Sequence, residues 1–352
     1  MSPDDERIEL PDEVDALVVG GGPAGSAAAT WLGRYRRRTL LVDAGEPRNR
    51  WVEQVNGVPG LDPVAPDMLA EQVRRGLARY PHVTRIDGRV TSVERHDRGD
   101  GDCDFVATLE DGTTIEARRV VLATGVCDRF PELGRFEEHY GADIFHCPSC
   151  EGFDARDKDV VVLGWGPHIP AFGSELLDWA GSVTIVTDGP VPQVSADQLD
   201  ACRDLGIEFV TDDPAQELLG ERGAMQGVRL ASGRVLPAGI AFFSIGHDAN
   251  VDLAVSLGCD LDDDGVVVVD DQAKTTVDGV YACGDLTPGM QLVAVALGKG
   301  TTAGVACAKS LHGRDTSPQS PDPAPDTEPL EPGTSPGADP TGDEPPDVTP
   351  RR

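Results

Sequence analysis

Two cysteines separated by two residues, Cys147 and Cys150, are the residues of this sequence best suited to carry chemistry. They lie in the run Cys-Pro-Ser-Cys and are followed directly by Glu151. A C-x-x-C pair in a chain of alternating strands and helices is typical of a reversible disulfide, whose thiolate is tuned by helix dipoles and nearby charges. The sequence therefore predicts dithiol–disulfide exchange beside a carboxylic acid.

A zinc site is the alternative interpretation of the same pair. Zinc takes four ligands, which usually come as two paired motifs. The other six cysteines are Cys103, Cys127, Cys202, Cys259, Cys283 and Cys307, and they form no second C-x-x-C. This favours redox chemistry, and we predict no metal site.

A glycine-rich turn near the N-terminus predicts a dinucleotide site. The run at residues 14–19 leads into G-x-G-x-x-G, formed by Gly20, Gly22 and Gly25. These positions allow a tight turn, a close approach of a pyrophosphate to the backbone, and packing of the next helix on its strand. Twenty-three residues after Gly20, another apolar strand ends at Asp43, whose carboxylate could hold the ribose hydroxyls of an adenosine.

Two later segments fit the same site. A strand at residues 120–122 ends in small residues that include Thr124 and Gly125, and Gly284 and Asp285 follow another apolar strand. A Gly-Asp pair at a strand end places a carboxylate beside the ribityl or pyrophosphate part of a flavin. The next segment, residues 291–309, predicts a helix whose N-terminus can point at the flavin pyrimidine end, where reduction builds negative charge.

A second, altered glycine turn follows the cysteines at residues 164–170, GWGPHIP. Ile169 stands at the third glycine position, and two prolines remove amide donors from the turn. After the next strand, Asp188 could accept a hydrogen bond from a ribose hydroxyl, and no arginine cluster is available for a 2′-phosphate. The sequence leaves open whether NADPH, NADH or no nicotinamide nucleotide binds here.

Chain length and composition limit the number of domains, the kinds of partner and the expected location of the protein. A chain of 352 residues predicts two domains, and a net charge of −31 argues against nucleic acid or an anionic membrane as partner. Only four of the 30 basic residues are lysines, and this acid-rich, lysine-poor composition motivates the hypothesis of a halophilic protein.

We find no secretory signal and no apolar membrane span, so we expect a cytoplasmic protein. Residues 313–352 hold 11 of the 28 prolines and predict a disordered acidic tail.

In this order the motifs make the chain resemble the low-molecular-weight thioredoxin reductase family over residues 14–312. The resemblance is carried by residues 20–25, 55–60, 123–125, 147–153, 245–247 and 284–285. It implies an α/β fold of two Rossmann-like three-layer domains. After a polar extension at 1–13, the FAD domain would comprise 14–138 and 246–312, with a NAD(P)-type domain inserted at 139–245 that carries the disulfide. Family members are usually homodimers.

The resemblance also implies roles for individual residues. Cys150 would be the thiol next to the flavin, Cys147 the one that attacks a partner disulfide, and Glu151 the acid that protonates the departing thiolate. The predicted cofactor-binding residues are Gly20, Gly22, Pro23, Ala24, Gly25, Asp43, Asn56, Thr124, Gly125, Gly284, Asp285, Gln291 and Leu292.

The function that follows is a flavin-dependent disulfide reductase acting on a thioredoxin-like protein or a small disulfide. Its electron donor stays open among NADPH, NADH and reduced ferredoxin. Two alternatives also stay open. One is an oxidase that passes electrons from a small dithiol through FAD to oxygen, and the other is a flavoprotein whose disulfide reports redox state without turnover.

Overall fold

The structure of the protein is a computed structural model, and it describes residues 10–97 and 103–312. Most of the predicted polar extension (residues 1–9) and the whole predicted disordered tail (residues 313–352) lie outside the described residues. Within the described ranges, no helix is long and apolar enough to cross a membrane.

The first part of the chain forms one parallel sheet and one smaller mixed sheet. Its strands are β1 (Glu13–Val14), β2 (Ala16–Val19), β3 (Thr39–Asp43), β4 (Val83–Asp87), β5 (Val90–Asp97), β6 (Cys103–Leu109), β7 (Thr114–Ala117), β8 (Val120–Leu122) and β9 (Val126–Asp128). Its helices are α1 (Pro23–Arg34), α2 (Pro66–Leu77) and α3 (Phe136–His139), with a 3-10 turn at Arg48–Trp51.

The middle and last parts of the chain follow the same alternation. The middle strands are β10 (Ile144–Phe145), β11 (Asp159–Leu163), β12 (Ser182–Val186), β13 (Glu208–Val210), β14 (Ala215–Glu221), β15 (Ala224–Leu230), β16 (Val235–Pro237) and β17 (Ile240–Phe243). The middle helices are α4 (Pro148–Glu151), α5 (Ile169–Leu176) and α6 (Ala196–Asp204), with a 3-10 turn at Gly152–Ala155. The chain then forms β18 (His247–Ala249), α7 (Asp252–Leu257), β19 (Val280–Ala282), a 3-10 turn at Gly284–Leu286 and α8 (Val293–Ser310).

The first Rossmann-like unit has three layers around a parallel sheet of order β19-β8-β2-β3-β4. Along β2, Leu17 and Val19 face the mixed sheet β1-β7-β6-β5, whereas Ala16 and Val18 face α1 and α8. Both faces of the strand are therefore buried, as expected for a parallel sheet. Because β19 pairs with β8, segments that precede and follow the second unit in the chain both contribute to this sheet.

The second Rossmann-like unit is built from the middle of the chain around a parallel sheet of order β10-β17-β11-β12-β13. Along β11, Val161 and Leu163 face the antiparallel sheet β14-β15-β16, whereas Val160 and Val162 face α5. The prediction of an α/β fold with two Rossmann-like three-layer units is confirmed.

The two places where the chain passes between these units lie side by side. Strand β9 leads out of the first unit, strand β18 leads back into it, and the two pair in antiparallel fashion. The domain limits at residues 138/139 and 245/246 stay a prediction.

Helices α1 and α8 approach each other with almost no side chain between them. A β-carbon built on Gly300 would lie 2.0 Å from the backbone oxygen of Ala24, and one built on Gly304 would lie 2.5 Å from that of Ala28. Both distances are below van der Waals contact, so the glycines are what permits this packing.

Candidate active site

The predicted redox pair forms a disulfide at the start of a short helix. Cys147 and Cys150 are bonded, with their Cα atoms 5.3 Å apart. Cys147 is the N-cap of α4, and its Sγ accepts a hydrogen bond of 3.2 Å from the backbone amide of Cys150. Pro148 occupies the first helical turn, where its missing N–H costs nothing. A partly negative sulfur is therefore favoured at Cys147 by the amide it accepts from.

Glu151 is the acid beside this pair. Its side chain is buried, and its carboxylate oxygen and the two Sγ atoms all lie within 4.8 Å of one another. Burial raises the pKa of Glu151 to about 8, with a smaller contribution from the charge of Asp154. At neutral pH the carboxyl group therefore carries a proton that it can donate to a leaving thiolate.

One cavity of about 780 Å³ connects the glycine turn to the disulfide. The predicted cofactor-binding residues that line it are Gly20, Gly22, Pro23, Ala24, Asp43, Asn56, Thr124, Gly125, Gly284, Asp285, Gln291 and Leu292. Cys150 and Glu151 line it too, whereas Cys147 does not. Gly25 is the one predicted cofactor residue outside the lining. The volume falls in the range of cavities that enclose cofactors.

The shape of the first glycine turn fits a pyrophosphate. Gly20 has a φ of +103°, and a β-carbon there would lie 2.3 Å from the backbone oxygen of Ala123. A β-carbon on Gly25 would lie 1.8 Å from the backbone oxygen of Gly20, so Gly25 supports the turn from behind. In contrast, no atom lies within 4 Å of the β-carbon position of Gly22. The turn is closed everywhere except where a phosphate would approach.

Two predicted cofactor residues also make hydrogen bonds within the protein. The Oδ2 atom of Asp43 accepts from Arg85 at 2.7 Å, and its Oδ1 atom accepts from the amide of Gly45 at 3.0 Å. Asn56 donates from Nδ2 to the backbone oxygen of Cys150 at 3.2 Å, which ties the cavity wall to the disulfide. A carboxylate has about four acceptor positions, so Asp43 still has capacity for a ribose hydroxyl.

Helix α8 begins at Val293, two residues later than predicted. Gln291 and Leu292 therefore lie just before the helix, where both line the cavity. The N-cap residue, Leu292, offers no side-chain hydrogen bond to the first turn. The free amides of that turn are thus available at the cavity wall.

Arg48 is a cavity residue that sequence reasoning missed. It donates from Nε to Asp128 at 2.9 Å, and from Nη1 to Asp285 at 3.1 Å and to Gln291 at 2.7 Å. Burial alone would raise the pKa of Asp128, but the hydrogen bonds and charge of Arg48, together with the positive charges of His146 and His247 when these are protonated, outweigh burial and lower it. These partners lie 80 or more residues away from Arg48 in the chain, so no local pattern indicates them.

His146 is a second missed residue, and its position directly before Cys147 was the available signal. It lines the cavity, and its Nδ1 atom lies 3.1 Å from the hydroxyl of Tyr140. Burial lowers the pKa of His146 to about 4, so the imidazole is neutral at neutral pH. The hydroxyl and the imidazole form a neutral polar pair on the disulfide side of the cavity.

The comparisons with known proteins agree with this geometry. The family model described as pyridine nucleotide-disulphide oxidoreductase matches residues 14–300. The chain belongs to this family. Thioredoxin reductase sirT from Leptosphaeria maculans is 30% identical over 84% of this chain and 93% of its own length. A thioredoxin reductase from Mycolicibacterium smegmatis is 29% identical over 84% of this chain and 94% of its own length.

A solved structure gives the same result for the fold. The putative thioredoxin reductase TrxB from Bacillus anthracis superimposes with a TM-score of 0.78 at 27% identity, covering 84% of this chain and 98% of its own. Within its family, the chain is therefore a low-molecular-weight thioredoxin reductase-like protein and an FAD-dependent oxidoreductase. The family implies FAD and a nicotinamide cofactor. The first glycine turn and the large cavity fit FAD, whereas the second glycine turn requires separate consideration.

Proposed function

We propose that the protein is a disulfide reductase of thioredoxin reductase type that passes electrons from FAD through Cys147 and Cys150 to a thioredoxin-type disulfide. The observation that carries the proposal is the single cavity that reaches from the open glycine turn to Cys150 and Glu151. A cofactor with its phosphates at the turn would have its reactive end directed toward the disulfide. The similarity to thioredoxin reductases from Leptosphaeria maculans and Mycolicibacterium smegmatis supports thioredoxin as the type of substrate.

We propose the predicted cofactor-binding residues as the FAD site. Gly20, Gly22, Pro23 and Ala24 would hold the pyrophosphate, with Gly25 supporting the turn. The remaining ones would line the adenosine, ribityl and ring portions: Asp43, Asn56, Thr124, Gly125, Gly284, Asp285, Gln291 and Leu292. Arg48, which also lines the cavity, would hold Asp285 and Gln291 in place.

When bound in this cavity, FAD would supply the two electrons that reduce the disulfide. Cys150 lines the cavity and Cys147 does not, so we assign Cys150 as the sulfur that receives them. The S–S bond breaks, and Cys147 leaves as a thiolate that takes the proton of Glu151. Cys147 then returns this proton to the Glu151 carboxylate and attacks the substrate disulfide as a thiolate, so that one substrate sulfur leaves and takes the proton from Glu151. Cys150 resolves the mixed disulfide, which restores the Cys147–Cys150 bond and releases the substrate as a dithiol.

The test is catalytic turnover. The purified protein with its flavin is photoreduced without oxygen and mixed with an excess of an oxidised thioredoxin under continuous light. We expect many substrate disulfides to be reduced per protein, and replacing both Cys147 and Cys150 by serine to abolish this. One stoichiometric exchange would instead indicate a redox sensor. In a separate assay in air, rapid oxygen consumption with a small dithiol would indicate an oxidase.

Two further proposals rest on the resemblance to the family. We propose a homodimer, which light scattering on the eluted protein would test. Reduced ferredoxin is a candidate donor, which an anaerobic titration of the oxidised flavin would test.

A further inference from the structure

The chain contains two glycine turns of the same length in the same strand–turn–helix context, so each can be compared with the other. The first, residues 20–25, reads GGGPAG, and the second, residues 164–169, reads GWGPHI. Each follows the central strand of a five-stranded parallel sheet, β2 in one unit and β11 in the other. Such a turn binds a dinucleotide when its backbone is open at the middle glycine and its amides point at the phosphates.

The middle glycines of the two turns have opposite surroundings. The β-carbon position of Gly22 has no atom within 4 Å. At Gly166, the imidazole of His168 occupies this space, with Cε1 at 2.7 Å and Nδ1 at 2.8 Å from a β-carbon. The same imidazole places Nε2 2.9 Å from Oγ of Ser244, which follows β17. His168 therefore bridges the carboxyl ends of neighbouring strands β11 and β17 where a pyrophosphate would lie.

The third glycine positions also differ. Gly25 approaches the turn so closely that a β-carbon would lie 1.8 Å from Gly20 O. Its counterpart Ile169 carries a fully buried side chain, whose Cδ1 atom would be 2.3 Å from a β-carbon on Gly164. A branched side chain thus lies between the second helix and its turn. Rotating His168 away would not remove it.

The helix starts and the amide donors complete the contrast. Helix α1 begins one residue after Gly22, whereas α5 begins three residues after Gly166. Pro167 stands at the same position of the second glycine motif as Pro23 in the first. In addition, Pro170 lies in the first turn of α5 and removes a second amide donor there. Fewer amides at the helix start can therefore be directed at a phosphate.

The expected ribose site at the next strand is only partly taken up by protein contacts. Asp188, which follows β12, accepts a 2.8 Å hydrogen bond on Oδ2 from the backbone amide of Glu132. The segment 187–195 contains no arginine or lysine that could pair with a 2′-phosphate. The 2′-phosphate of NADPH therefore finds no cationic partner in this segment, whereas Asp188 keeps its buried Oδ1 atom as an acceptor for a ribose hydroxyl of NADH, so the closure of the turn depends on His168 and Ile169.

We infer that the glycine turn of the inserted unit does not hold a nicotinamide dinucleotide, and that His168 and Ile169 are the side chains that close it. This inference rests on the proposed function, because it removes NADPH and NADH bound at this turn as electron donors of that reaction. The flavin must then be reduced by a donor that reaches it by another route.

The experiment uses the full-length protein with its flavin, without oxygen. NADPH and NADH are added separately up to millimolar concentration, and flavin bleaching and heat of binding are recorded. We expect no bleaching and no saturable binding, while light and a small dithiol both reduce the same sample. Bleaching or saturation by either nucleotide at micromolar concentration overturns the inference. Failure of light-driven thioredoxin reduction would instead count against the proposed function, so the two failures are distinguishable.

A graft tests the assigned side chains. The substitutions Trp165→Gly, His168→Ala and Ile169→Gly convert the second turn into the sequence of the first. We expect this variant to bind NADH or NADPH at least tenfold more tightly than the unchanged protein, at equal flavin content. A folded graft without any gain overturns the assignment to His168 and Ile169. Should the graft not fold, the milder double variant His168→Ala with Ile169→Val replaces it, because it removes the imidazole and the Cδ1 atom that lies nearest to Gly164. A gain in affinity supports the assignment to these two side chains, and no gain refutes it.

Discussion

Replacement of Glu151 by glutamine tests the protonation step most directly. The amide keeps the shape of the side chain but cannot donate a proton as an acid. In the unchanged protein, the carboxyl group of Glu151 lies within 4.8 Å of both sulfur atoms. Its pKa is about 8, so it is mostly protonated at pH 7. General acids contribute about 10²–10⁴-fold in rate, so we expect a loss of about 10²-fold at pH 7.

The same role also predicts how much the rate of thiolate protonation changes with pH. Because burial raises the pKa of Glu151 to about 8, the acid is the dominant form at pH 7 and the minor form at pH 9. The protonated fraction falls about tenfold between these values, and the rate of thiolate protonation should fall with it. The sign is fixed by the role, since only the protonated carboxyl can donate.

In the assay, protein that carries reduced flavin is mixed rapidly with an oxidised thioredoxin in the absence of oxygen. The flavin absorbance is recorded over time at pH values from 6 to 10. Glu175→Gln is the matched control, because Glu175 is exposed and accepts a hydrogen bond of 3.4 Å from Ser149, which lies on α4 together with Glu151. We expect the control to keep both the rate and the pH profile. If Glu151→Gln keeps them as well, at full flavin content, the assignment of Glu151 as the proton donor is refuted.

Four further outcomes are expected. Gly22→Val should fold, since its β-carbon meets open space, but should lose bound flavin more than tenfold because the side chain fills the phosphate approach; full flavin content would contradict the fit of the turn. Arg48→Met leaves Asp128, whose side chain is only 6% exposed, without its ion pair, so the free energy of unfolding should fall by about 3–5 kcal/mol. Urea unfolding measures this change, and an unchanged midpoint would show that stability does not need the pair. With the disulfide intact, a thiol reagent at neutral pH should label exposed Cys127 and spare Cys283, whose pKa burial raises to about 12; mass spectrometry decides, and labelling of Cys283 would mean that its site opens. Molar salt should raise the unfolding temperature if the acidic surface is halophilic, and indifference to salt would end that hypothesis.

The parts of the site that the sequence predicted are those set by short spacing. The glycine turn depends on backbone space at Gly20, Gly22 and Gly25, and the disulfide depends on two cysteines that share one helical turn. Local geometry fixes both, so a motif read from the sequence carries them. The two Rossmann-like units follow in the same way from apolar strands that precede glycine turns.

The parts that could not be predicted depend on contacts between distant segments. Arg48 meets Asp128 and Gln291 only because three segments converge at the cavity. The raised pKa of Glu151 reflects how deeply the fold buries that carboxyl group, which its neighbours in the sequence do not reveal. The imidazole of His168 could be seen in the second turn, but its contact with Ser244 could not.

The backbone contact between α1 and α8 has a consequence for how the cofactor site tolerates change. One helix continues from the glycine turn, and the other begins where Gln291 and Leu292 line the far wall. With Gly300 lying directly on Ala24, neither helix can slide without the other. The contact between α1 and α8 therefore helps to set the distance between the glycine turn and the segment at Gln291 and Leu292, and with it the length of ligand that fits. A larger residue at Gly300 would move both parts of the cofactor site, although Gly300 is not among the residues that line the cavity.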